Sequence, residues 1–102
     1  MSESIELAFL VRRLIDEDQA KSVMASIDGL LREQGLRDDV TMGWSILNDL
    51  GWMVGGESLH PFPVSRADVW CSAFEQTFQQ CVSAVAPDAD IRVKWGDPYE
   101  GW

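Results

Sequence analysis

The chain has 102 residues, 46% of them hydrophobic, with 17 acidic against 8 basic side chains and a formal net charge of −9. That length makes a single domain, residues 1–102, and the apolar fraction is enough for a core without metal or disulfide support. The charge works against nucleic-acid phosphates and anionic membranes, and in favour of solubility and cationic protein partners.

The first segment, SIELAFLVRR, alternates Ile5, Leu7, Phe9 and Val11 against Glu6, Ala8, Leu10 and Arg12, which is the period of a strand. Its apolar run is too short to span a membrane and lacks a basic leader, so the expected location is cytoplasmic. A helix follows. Asp16 and Gln19 have the spacing of a capping box, and Ala20, Val23, Met24, Ile27, Leu30 and Leu31 share one helical face. Gly35 followed by Leu36 reads as a left-handed C-terminal cap. Glu17 with Lys21, and Asp28 with Arg32, are i,i+4 pairs on the solvated side.

VTMGWSIL places Val40, Met42, Trp44 and Ile46 on one side of a second strand. The polar break NDLG turns the chain back into WMVGGESL, a third strand in which Gly55 and Gly56 invite a bulge. HPFP reads as extended loop. A second helix is expected to start with Ser65 as N-cap, Asp68 completing the box and Val64 packing on Val69. Its buried stripe is Trp70, Ala73, Phe74, Phe78, Cys81, Val82 and Val85, and Pro87 marks its end. Ile91, Val93 and Trp95 then alternate with Arg92 and Lys94 in a last strand.

Strand, helix, strand, strand, helix, strand is the split-βαβ order of ferredoxin-like sandwiches. It predicts an α+β fold of βαββαβ type: a two-layer sandwich with a four-stranded antiparallel sheet and both helices on one face. Phe9, Ile27, Leu31, Trp44, Phe74 and Phe78 are its expected core. Cys71 and Cys81, ten residues apart on one helix, would lie about 15 Å apart, beyond disulfide reach, so both are expected as thiols.

If the first strand runs up, the lower rim gathers Asp38, Asp39, Glu57, His60, Phe62 and the terminal WGDPYEGW. Asp97, Tyr99, Glu100 and Trp102, with Asp38 and Asp39 nearby, are the expected partner-binding edge. Carboxylates there would steer a basic partner while aromatics supply contact. The upper rim collects Asp16, Glu17, Asp18, Asp49, Asp88 and Asp90, of which the first three are accounted for by helix capping. The sheet face turned away from the helices would present Ala8, Leu10, Thr41, Gly43, Ser45, Leu47 and Met53, bordered by Arg12, Arg92 and Lys94. A lightly charged face of small residues suits a homodimer or a ligand.

Catalytic patterns are sparse. His60 is the single histidine, and neither cysteine has a recognisable histidine partner. No glycine-rich phosphate loop, GxSxG or HExxH occurs, and DADIRVKWGDPY lacks the glycine and final glutamate of a calcium loop. No catalytic residue, metal or cofactor is therefore expected. The sequence reads as a non-enzymatic, acidic protein-binding module, most concretely an immunity- or antitoxin-type inhibitor that masks a basic partner such as a nuclease-like toxin. The alternative is a dimeric small-ligand-binding or regulatory module using the open sheet face.

Overall fold

The computed structural model describes residues 2–47 and 51–96. In chain order the elements are β1 (Ser2–Leu14), α1 (Glu17–Glu33), a 3-10 turn (Arg37–Asp39), β2 (Val40–Leu47), β3 (Gly51–Ser58), β4 (Phe62–Ser65), α2 (Ala67–Val85) and β5 (Asp90–Gly96). The architecture is α+β, with two helices on an antiparallel sheet. β3 and β5 both pair with β1 over Ala8–Val11, so they flank it, and β2 pairs with the far side of β3.

The sequence predicts four strands, and the sheet has five. The extra one, β4, forms where HPFP reads as loop. Phe62, at 2% exposure, is driven under the aromatic layer, and this holds its segment against the start of β1, from Ser2↔Ser65 to Ile5↔Phe62. Proline pairing is tolerated there because the strand is short and lies at the sheet's end. β3 leaves β1 at Ala8 and β4 takes it up at Ile5; in the gap the Leu7 N–H donates to the Ser58 hydroxyl at 3.0 Å.

α1 starts and stops as its sequence predicts. The Asp16 carboxylate accepts from the Gln19 N–H at 2.8 Å, and the Gln19 side chain accepts from the Ile15 N–H at 2.7 Å. Gly35 takes a left-handed φ of 71°, and the Leu36 N–H closes the end onto the Leu31 carbonyl at 2.8 Å. α2 starts differently. Ser65 is the last residue of β4, so Arg66 holds the N-cap position at φ 54° without a side-chain cap. Val69, expected to pack on Val64, stands exposed.

One apolar cluster fills the space between the layers. Ile5, Leu7, Phe9 and Val11 of β1 meet Ala20, Val23, Ile27, Leu30 and Leu31 of α1 and Phe74, Phe78 and Val82 of α2. Phe9 and Phe78 rings lie 5.1 Å apart, and Phe74 continues the stack to Trp70 and Trp95. Trp44 does not belong to this core. Along β2 burial fades from Val40 at 2% exposure to Trp44 at 40% and Ile46 at 55%. An edge strand has a neighbour on one side only, so its far residues outrun the helical cover. Trp44 rests instead on Trp52, with ring centroids 5.1 Å apart. Gly55 and Gly56 form no bulge, since the β2–β3 register is continuous from Val40↔Ser58 to Leu47↔Gly51.

Candidate binding surface

The structure brings part of the expected lower edge together. Asp38 is exposed in the 3-10 turn, while Asp39 lies 3.0 Å from His60 Nε2. The Leu59 N–H donates to the Asp39 carbonyl at 2.8 Å, leaving the leucine side chain exposed beside the acids. Arg37 is committed elsewhere, to Asp28 and to the Val40 carbonyl. Asp97, Tyr99, Glu100 and Trp102 lie outside the described residues. Trp95, just before them, packs against Trp70 and Phe74, and its indole N–H donates to Glu75.

Opposite the helices no described residue covers the sheet. Leu10 pairs with Gly55 and Arg92, and Gly55 pairs with Gly43. Because alternate residues of a strand share a face, this row lies opposite the buried row of Val11 and Val54. Ala8, Glu57, Thr41 and Lys94 form the neighbouring row. Gly43, Thr41 and Ser45 are exposed, and Leu10 and Met53 are half-buried. Nothing stands within 4 Å of where a Gly43 side chain would start, and a shallow depression runs over Thr41, Gly43 and Gly55. The expected open face is therefore present.

A further feature at its upper end was legible only as a slip in the strand pattern. Val11 pairs with Val54 and Leu14 with Trp52, so Arg12 and Arg13 together oppose the single residue Met53. This is a β-bulge. Arg13 takes φ 67°, and the extra residue resets the alternation so that Leu14 turns into the core at 3% exposure while Arg13 stays out. In the sequence the signal is that apolar positions 5, 7, 9 and 11 are followed by 14 rather than 13. Across β5, Arg12 Nε donates to Asp90 at 3.1 Å, and Arg92 Nε lies 3.5 Å from the same carboxylate oxygen. The Arg12 guanidinium holds the Asp90 carboxyl below its usual range, with Arg92 adding to the effect.

Cys71 and Cys81 are half-buried and no disulfide joins them. Among the described residues, no group of three or more His, Cys, Asp or Glu is placed to hold a metal ion, and no helix is long and apolar enough to cross a membrane.

No family model matches the chain, and no curated protein matches it in sequence. Solved structures do resemble it. A de novo designed protein, Foldit4, superposes with a TM-score of 0.61 at 8% identity, over 91% of this chain and 96% of the design. A conserved protein of unknown function from Bacteroides thetaiotaomicron, described as a possible oxidoreductase, gives 0.51 at 16% identity, over 93% and 97% of the two chains. A designed protein with a ferredoxin fold gives 0.45 at 14% identity, over 98% and 91%. At such identities the likeness is one of fold alone.

Proposed function

We propose that this chain is a non-enzymatic binding module on a ferredoxin-like βαββαβ sandwich elaborated by the short β4, working as a dimer through the open sheet face. The observation that carries the reading is the make-up of that face: glycine, serine and threonine at the centre of β2 and β3, half-buried Leu10 and Met53 beside them, and charges of both signs at the border. A flat centre lets two sheets approach closely. A border with both Glu57 and Lys94 allows a two-fold axis to set unlike charges against each other, as an isologous interface requires. Sedimentation equilibrium tests this directly. The native chain should sediment as a dimer at micromolar concentration, and Gly43→Lys with Ser45→Lys should give a folded monomer. A native monomer at about 100 μM, a concentration far above the dissociation constant of a specific interface, rejects the reading.

A second reading keeps the acidic inhibitor of a basic, toxin-like partner. It is favoured by the exposed Asp38 and by Leu59, which stands in solvent next to Asp39. An exposed apolar side chain on a segment bonded to an acidic turn provides contact and steering together. Affinity capture from native lysate, with mass spectrometry, should then yield a cationic protein. Asp97→Lys with Glu100→Lys should slow its association and flatten the salt dependence. Unchanged association of that double variant at low salt removes the tail from the interface.

A further inference from the structure

Arg12, Arg13, Asp90 and Arg92 line a cleft of ≈ 400 Å³ at the upper end of the outer face. Three of the chain's eight basic residues thus line one cleft with a single carboxylate, in a protein whose net charge is −9. Asp90 is shared by Arg12 and Arg92. Arg13 is exposed, and its side chain makes no hydrogen bond or ion pair among the described residues. Two positive charges are left over in the cleft.

The core explains why a bulge is there, since it returns Leu14 to the buried face. It does not explain arginine at the left-handed position, where glycine or asparagine is accommodated at less cost. Residues held in such conformations cluster at ligand clamps, and bulges recur beside sites because they re-aim a side chain. Here the bulge brings consecutive residues, which alternation would send to opposite faces, to the same cleft. Asp90 meanwhile holds Arg12 and Arg92 in place. We propose that this cleft binds a small oxyanion carrying two negative charges, such as a phosphate monoester or a dicarboxylate, gripped by the Arg13 and Arg92 guanidinium groups. The planar fork of arginine matches paired oxygens of either kind. The assignment rests on the outer face being a working surface, but not on its self-association.

The test is titration of inorganic phosphate, and separately of succinate, into the full chain at low ionic strength, followed by amide NMR shifts. Saturable shifts at Arg12, Arg13 and Arg92 are expected with at least one of the two, and none with chloride. Arg13→Gly removes the guanidinium while suiting the positive φ, so it should fold normally and bind about tenfold more weakly. Arg37→Gln, at the other end of the sheet, should bind like the native chain. Shifts that never saturate, or affinities unchanged in both Arg13→Gly and Arg92→Gln, would show that the cleft is no site. Sedimentation of the same samples separates the two proposals. A dimer that takes up neither anion overturns this one alone, and a monomer that binds the anion overturns only self-pairing.

Discussion

The Phe9 ring occupies the space where Gly56 would carry a side chain: a Cβ there would meet Phe9 Cζ at 2.3 Å and the Thr41 carbonyl oxygen at 2.7 Å. The ring can tilt, but it is already packed on Phe78, and the carbonyl belongs to a paired strand. Gly56→Ala should therefore destabilise the fold by about 3 kcal/mol, the upper end of overpacking costs. Gly43→Ala, which meets open space, should lie within about 0.5 kcal/mol of the native chain. Urea denaturation of the pair checks both, and equal midpoints would show that the ring does not need the glycine.

Phe74 sits at 4% exposure between Trp70, Phe78 and Trp95. Phe74→Ala leaves a cavity that three large rings cannot collapse into, and should cost about 3–5 kcal/mol. Trp44→Ala removes a ring that is 40% exposed and should cost clearly less, with its main effect on solubility. Denaturation midpoints should separate the two variants. A larger loss at Trp44 would mean that the edge hairpin is part of the core.

Acid should unfold the protein partly through two carboxylates. Hydrogen bonds from Arg12 hold the Asp90 carboxyl below its ordinary value, and those from Arg32 and then Arg37 do the same for Asp28. A group whose pKa is lower in the folded chain stabilises it above the unfolded value, near about 3.9, and loses that contribution as pH falls through the folded value. Arg12→Gln should narrow the difference between neutral and acid stability. Urea midpoints from pH 7 down to pH 2 should converge for the native chain and the variant. Parallel curves would show that the Arg12–Asp90 pair contributes nothing through proton linkage.

Both cysteines should alkylate. Cys71 and Cys81 occupy the same helix and are not bridged. Mass measurement after alkylation in denaturant, without reductant, should show two adducts. Loss of both adducts would require a bond that α2 as a continuous helix does not permit.

The helix boundaries of α1 and the apolar row of β1 were legible in the sequence because each rests on local chemistry. A capping box, a C-terminal glycine and a two-residue alternation act within a few residues of themselves. The order of elements, read with the rules for crossovers, also gave an antiparallel sheet carrying two helices. Three features depended on distant residues and could not be read locally. β4 exists because Phe62 is buried against an aromatic layer contributed by α2 and β5. Its formation displaced the expected Ser65 cap and left Arg66 in the left-handed region. Trp44 has the alternation of a core residue, but cover is decided by where the helical layer ends above an edge strand. The glycines of β3 signal a bulge only in isolation. In the fold, Gly56 makes room for Phe9, and the bulge falls at Arg12 and Arg13 instead.

For the candidate surface the division is similar. Alternation identified the open face because strand parity is a property of sequence. Composition likewise showed the acidic balance. Parity already set Arg12 and Arg92 at the border of that face. Only tertiary structure brought Arg13 to it through the bulge and closed Arg12 and Arg92 onto Asp90, since two strands nearly eighty residues apart must pair in one register before their charges meet.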